Sequence, residues 1–194
     1  MNDSSSSSPN PVFELSLTFL NGWCDLYLEY GDEQLTIRAT TLSNAFNDLV
    51  DASIDLAQGR QCVSVMWGGE GNGAFVDLAL DATEYLGVVV HEMADSNWFS
   101  PALRWAPARG HALFTAYVSF SEFARKLGRE LRKIRVQHTD ITGYMPHWGW
   151  SYPQARYELF ESLMARRGFK PVSTQTIRHE LQVGRLREPN PAHA

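Results

Sequence analysis

Apolar and polar residues alternate through the first forty positions of the chain, which is the pattern of half-buried β-strands. From Phe13 to Leu20 every second residue is apolar, and the alternation resumes over Cys24–Tyr30 and Gln34–Thr40. The pairs Asn21-Gly22 and Gly31-Asp32 separate these runs, and both are favoured in hairpin turns. The pattern therefore predicts a three-stranded antiparallel meander.

The spacing of apolar residues then lengthens to the period of an amphipathic helix. This helix is predicted over Ser43 to Gln58, with Ser43 as its cap and Gly59 as its end. One face carries the apolar side chains Phe46, Leu49, Val50 and Ala57. The opposite face carries the polar side chains Asn47, Asp48, Asp51 and Asp55.

The second half of the chain mixes further strands with two long helical patterns. Four strands are predicted at Cys62–Trp67, Ala74–Leu80, Tyr85–Met93 and His111–Val118. One helix is predicted from Ser119 to Gln137, with a capping-box spacing of Ser119 and Glu122 and an inner stripe of Phe123, Leu127, Leu131 and Ile134. Another is predicted over Gln154–Arg167, between Pro153 and Gly168.

This order of elements predicts a single α+β domain. The expected architecture is one curved antiparallel sheet of six or seven strands, packed by two or three helices. The domain should span residues 12–184, with a disordered tail at 1–11 and a flexible tail at 185–194.

Composition supports a globular chain, with 44% hydrophobic and 12% aromatic residues. No apolar run reaches the roughly 18 residues needed to cross a bilayer, and the start of the chain lacks the pattern of a signal peptide. The two cysteines, Cys24 and Cys62, fall in predicted strands and are expected to be reduced core thiols. We therefore expect a cytoplasmic protein that makes no membrane contact.

Charge is divided unequally between the two halves of the chain. Residues 1–97 contain two Lys and Arg against fifteen Asp and Glu, whereas residues 98–194 contain fifteen against seven. The formal charges of the halves are −13 and +8, within a total of −5. Two interpretations are open: the halves attract each other in the fold, or an acidic surface awaits a basic partner.

Several short strings resemble those of a group of small uncharacterised bacterial α+β proteins. These strings lie within residues 33 to 165: Leu42–Leu49, Val65–Trp67 with the acidic glycine turn after it, Phe120–Leu127, and Gly143-Tyr144 to Trp148. Proteins of this group look like immunity proteins, which neutralise toxins made by the same or neighbouring cells. The resemblance implies a binding protein whose partner is a toxin.

Asp48, Asp51 and Asp55 are spaced to lie along one face of the first predicted helix. Such a face is typical of a solvated surface, and the alternative is a docking surface for a cationic protein. Glu70 lies in the glycine turn Gly68–Gly73, which lacks the Lys-Ser/Thr ending and the following helix of a phosphate-binding loop. Two interpretations are open for this turn: a mobile hairpin tip, or a loop that contacts the same partner through Glu70.

Aromatic residues are densest between Tyr144 and Pro153. Three interpretations are open for this segment: a cap on the core, an interface, or a lid over a small-molecule pocket. For the interface we select Tyr144, Trp148 and Trp150 as anchors, because such rings bury a large area on binding.

No sequence motif indicates catalysis or a bound cofactor or metal. His91-Glu92 lacks the second histidine of a zinc protease motif, and the group His138, Asp140 and His147 matches no closed zinc spacing. Neither cysteine lies at a predicted helix amino terminus, where its pKa would fall. The basic helix over 119–137 makes nucleic acid a weak candidate, because the molecule as a whole is negative.

The sequence therefore favours a non-catalytic binding protein, specifically an immunity or inhibitor protein that forms a complex with a basic toxin domain. The residues selected for partner binding are Asp48, Asp51, Asp55, Glu70, Tyr144, Trp148 and Trp150. Two alternatives stay open: a small enzyme or ligand-binding protein with an aromatic pocket, and a self-associating module that forms a homodimer.

Overall fold

The computed structural model describes residues 11–70, 72–94, 108–138 and 148–187, with side chains to residue 183. Seven strands and four helices occur in these ranges, in the order βββαββββααα. The α+β class predicted from the sequence is confirmed.

The first sheet is the predicted meander. Its strands are β1 (Phe13–Leu20), β2 (Trp23–Tyr30) and β3 (Glu33–Thr40), paired antiparallel in the order β1-β2-β3. Asn21 and Gly22 at the first turn both have positive φ, 49° and 82°, as a two-residue hairpin of this twist requires. The alternation of buried and exposed residues along each strand places one face of this sheet on the core.

The second sheet contains the four later strands. These are β4 (Cys62–Gly68), β5 (Gly73–Leu80), β6 (Tyr85–Met93) and β7 (Arg109–Ser119), again antiparallel in sequence order. The register of β6 against β7 shifts between Val90 and Met93, which marks an irregularity at that end of the sheet.

The expectation of one continuous sheet was therefore wrong: the strands form two sheets, of three and four strands. A period of two indicates which face of a strand is buried, but not which strand lies beside it. β3 and β4 contact each other without sharing a hydrogen-bonded ladder. A buried hydrogen bond joins the sheets instead, from the indole N–H of Trp67 on β4 to the carbonyl of Cys24 on β2, at 3.3 Å. The exposed Tyr30 hydroxyl on β2 also donates to the Tyr117 carbonyl on β7, at 3.0 Å.

Four helices accompany the sheets, one more than the upper expectation. They are α1 (Ala45–Ala57), α2 (Phe120–Gln137), α3 (Gln154–Arg166) and α4 (Thr174–Arg187). The sequence did not predict α4, whose first three turns carry one fully buried apolar residue, Ile177. Its last three residues fall in the segment that we expected to be a tail. The expected tails at 1–10 and 188–194 lie outside the described residues.

The two main helices begin in different ways. The Ser119 hydroxyl accepts the Glu122 N–H at 3.2 Å, so the predicted cap of α2 is confirmed. At α1 the cap is Asn44 and not Ser43. The Ser43 hydroxyl is engaged elsewhere, since it donates to the Gly68 carbonyl at 3.1 Å and accepts the Gly68 N–H at 3.2 Å.

One apolar core receives side chains from both sheets and from α1, α2 and α3. α1 packs on β4 and α3, whereas α2 packs on β1 and α4. The predicted inner stripe of α2 is confirmed, because its four members are all buried: Phe123, Leu127, Leu131 and Ile134.

Charged side chains of α2 also hold the edge strand β1. The buried carboxylate of Glu130 accepts the backbone N–H of Leu17 at 3.1 Å, and the Lys133 ammonium at 3.2 Å. Lys126 pairs with Glu14 on the same strand. These contacts occupy an edge that would otherwise offer unpaired backbone groups to another strand.

Leu131 and Leu159 allow a matched test of this packing. Leu131 on α2 is 0% exposed, whereas Leu159 on α3 is 43% exposed. We expect Leu131→Ala to lower the free energy of unfolding by about 2–5 kcal/mol, and Leu159→Ala by less than about 1 kcal/mol. Urea denaturation of both variants measures the difference, and equal losses would contradict this orientation of the helices.

Candidate functional site

Ion pairs within the fold neutralise part of the charge asymmetry of the sequence. Four ion pairs join an acidic residue of the first half to a basic residue of the second: Glu14–Lys126, Asp51–Arg156, Asp77–Arg109 and Glu84–Arg167. The interpretation that the halves attract each other is therefore supported. An acidic docking surface can use only the carboxylates that these pairs leave over.

On α1, two of the three selected carboxylates have a cation of their own. Asp51 pairs with Arg156 of α3 at 2.7 Å, and Asp55 pairs with Arg60 at 3.4 Å. Asp48 is exposed and makes no ion pair with another described residue. Asn47 was expected on this outer face but is buried, with its amide nitrogen donating to the Ser151 carbonyl at 3.4 Å.

The carboxyl groups on this face influence each other's protonation. Partial burial raises the pKa of Asp48, and the negative charge of Asp51 raises it further, while Arg156 acts in the opposite direction. Burial also raises the pKa of Asp51, against the attraction of Arg156. Two acids with raised pKa values hold protons more tightly when folded, so their contribution to stability decreases as the pH rises through those values.

Trp148 belongs to the core. It is 0% exposed and packs edge-to-face against Phe19, with ring centroids 5.6 Å apart. Its indole nitrogen is buried without a hydrogen-bond partner. Of the three interpretations of the aromatic segment, this residue therefore fits the cap on the core, and the free protein does not present it as an exposed anchor.

Trp150, two residues later, lies on the surface and is 38% exposed. Its indole N–H donates to the Thr41 carbonyl at 3.1 Å. Gly149 between the two tryptophans has a φ of 86°, and a Cβ there would lie 2.7 Å from the Thr41 methyl. Glycine at this position permits the close approach that seats Trp150 against Thr41.

Two exposed leucines lie close to the same threonine. Leu42 follows Thr41 directly, and Leu20 ends β1 at the hairpin turn whose Gly22 abuts the Thr41 methyl. Both side chains are more than half exposed. We group Leu20, Leu42 and Trp150 as the apolar patch beside Thr41, because each is exposed and lies within two residues of a contact to Thr41.

Two exposed acidic residues lie near this patch. Glu70 is two residues from Gly68, the backbone of which is bonded to the Ser43 hydroxyl next to Leu42. Asp48 lies in the first turn of α1, which begins two residues after Ser43. We call Leu20, Leu42, Asp48, Glu70 and Trp150 the Thr41 surface.

The Thr41 surface contains three of the selected partner-binding residues: Asp48, Glu70 and Trp150. Asp51 and Asp55 lie farther along α1 in ion pairs, Trp148 is internal, and Tyr144 lies outside the described residues. Sequence analysis did not select Leu20 or Leu42. Alternation places Leu20 on the strand face opposite Phe13 and Leu17, so the pattern could have indicated its exposure. Leu42 lies in a turn, where no such period applies.

The candidate metal ligands and cysteines of the sequence can be placed only in part. The described ranges contain no group of three metal-ligating side chains, although Asp140 and His147 of the predicted group lie outside them. Both cysteines are free thiols, and burial raises the pKa of Cys24. Cys62 was expected in the core but is exposed at the start of β4.

Comparison with known protein families, with curated proteins and with solved structures gave no match to this chain. Among the described residues, no helix has the length and apolar character required to cross a membrane.

Trp148 and Trp150 provide a test of their assignment to the core and to the surface, respectively. Trp148→Ala should lower the free energy of unfolding by about 3–5 kcal/mol, because it leaves a cavity in the core. Trp150→Ala should cost no more than about 1.5 kcal/mol, the value of one hydrogen bond at the surface. Urea denaturation compares the two, with Trp148→Phe as the milder core control; a larger loss for Trp150→Ala would contradict the assignment.

The carboxyl groups of α1 can be followed by NMR titration. Arg156→Gln removes the cation that opposes the raised pKa values, so the pKa of both Asp48 and Asp51 should rise further. Arg166→Gln, an exposed substitution at the end of the same helix, serves as the control and should change neither. Unchanged pKa values in Arg156→Gln would show that this pair does not persist in solution.

Proposed function

We propose that this chain is a non-catalytic binding protein that neutralises a bacterial toxin by forming a complex with it, as an immunity or inhibitor protein. The observation that carries the proposal is the Thr41 surface, where an exposed tryptophan lies beside two exposed leucines and near two acidic residues. The resemblance to immunity proteins points to the same class.

The apolar part of the surface is suited to supplying binding energy. Tryptophan is enriched among the residues that dominate interface energetics, because it buries a large area at small conformational cost. The contact with Thr41 holds the indole of Trp150 in place before binding, which reduces the entropy lost on association. Leu20 and Leu42 would complete a small apolar centre that a partner covers.

The acidic part is suited to selecting a basic partner. Asp48 and Glu70 are exposed and make no ion pair with another described residue. The whole chain also carries a net charge of −5, so its long-range field attracts cations. Charges at the rim of an interface mainly raise the association rate, and they reject partners of like charge. A basic toxin domain meets both requirements.

Affinity purification from the native cells, with mass spectrometry of the co-eluting proteins, tests this proposal. The tagged wild-type protein should retain a basic protein in stoichiometric amount. Trp150→Ala should weaken that complex by about thirtyfold, as expected for loss of an anchor worth roughly 2 kcal/mol. Asp48→Lys with Glu70→Lys should slow association, with a smaller change in dissociation.

Asp32→Lys is the matched control for charge. Asp32 is exposed at the turn between β2 and β3, at the end of the first sheet away from Thr41, so its reversal should leave the complex intact. The captured protein should also arrest growth when produced alone, and wild-type chain should restore growth while Trp150→Ala restores it less. A partner retained equally by every variant would contradict the assigned surface. Capture of only further copies of this chain would favour self-association.

A further inference from the structure

A groove of about 520 Å³ runs between α2 and α3, and the segment 168–172 closes one side of it. Its volume falls within the range of small-molecule sites in proteins. Its floor includes the ring of Phe160 and the thioether of Met164, both buried in α3. No residue of the Thr41 surface lines it, so this groove is independent of the function proposed above.

Gly128 keeps the groove open. It lies in the interior of α2, where glycine costs roughly 1 kcal/mol relative to alanine. A Cβ at this position would lie 3.4 Å from Cε1 of Phe160, already at the limit of comfortable contact. Any larger side chain on Gly128 would therefore occupy the space above the Phe160 ring.

The charges at the rim leave a local excess of cations. Arg125 on α2 and Lys170 after α3 are both exposed, and neither pairs with another described residue. Arg129 is already paired with Glu180 of α4, at 2.8 Å. Two cations across an apolar floor are complementary to a ligand with one acidic end.

Two acidic residues also line the groove, and their situations differ. The Glu161 carboxylate pairs with Arg132 and accepts a hydrogen bond from the Tyr157 hydroxyl at 2.5 Å. Its charge is therefore neutralised by residues that do not line the groove. Glu122 lies one turn before Arg125 and has no such cation. The acidic end of a ligand is therefore expected near Lys170 and Arg125, away from Glu122.

We propose that this groove binds an apolar monocarboxylate, such as a medium-chain fatty acid. The hydrocarbon chain lies over Phe160 and Met164, beside the backbone of Gly128, where its burial provides most of the affinity. The carboxylate accepts hydrogen bonds from Arg125 and Lys170. Binding is non-covalent and requires no change in the protein's protonation.

Titration of ¹⁵N-labelled protein with sodium decanoate, kept below its micelle concentration, tests the site. The amide signals of Gly128 and Gly168, which both line the groove, should shift saturably. Gly87 on β6 should not shift, because it lies outside the groove. Decanol has the same chain without the charge and should bind at least about tenfold more weakly. Shifts confined to Gly87, no saturable shift, or equal affinity for decanol would overturn the proposal.

Variants separate the apolar and charged parts of the site. Arg125→Gln with Lys170→Gln should weaken decanoate binding by about tenfold or more, and Glu122→Gln should strengthen it. Arg166→Gln, an exposed basic control outside the groove, should have no effect. Gly128→Leu should abolish binding, and its circular dichroism spectrum reports whether it is folded. The double variant Arg125→Gln with Lys170→Gln leaves the apolar floor intact. Unchanged affinity in this variant would overturn the proposal, even if Gly128→Leu fails to fold.

Discussion

The buried hydrogen bond from Trp67 to the carbonyl of Cys24 joins the two sheets close to the strand ends that lead to Thr41 and Glu70. Because β3 and β4 share no ladder, contacts other than a ladder connect the sheets: this bond, the bonds between Ser43 and Gly68, the bond from Tyr30 to Tyr117, and a common core. These contacts position the hairpin carrying Glu70 next to the start of α1. The Thr41 surface exists because the connection between the sheets is made here.

The charge asymmetry of the chain acts within the fold, through ion pairs between its two halves. Pairs such as Asp51–Arg156 and Glu84–Arg167 hold helix α3 and its end against elements of the acidic half. Exposed pairs of this kind contribute little stability each, but they determine which carboxylates remain available. Of the four selected carboxylates, Asp48 and Glu70 make no ion pair with another described residue. The unpaired acidic surface of α1 and the glycine turn is therefore smaller than the sequence suggested.

Arg132 connects the elements around the groove between α2 and α3. Its guanidinium donates to the Tyr157 hydroxyl at 3.0 Å, and it also contacts Glu161 and the carbonyl of Val172. One side chain thus holds α2, α3 and the segment after α3 together while compensating the only carboxylate of α3 in the groove. Together with Gly128, this arrangement creates a concave site with an apolar floor and a cationic rim.

Local pattern alone determined the three-stranded meander, the four later strands, and the extents of α1, α2 and α3 to within about two residues. These features follow from short-range alternation and capping, as at Ser119. The tertiary structure alone decided that the strands form two sheets, that Trp148 is internal while Trp150 is exposed, and that Asp51 meets Arg156. Each of these depends on which distant segments come into contact, since residues two apart in sequence differ in burial only through their neighbours in space.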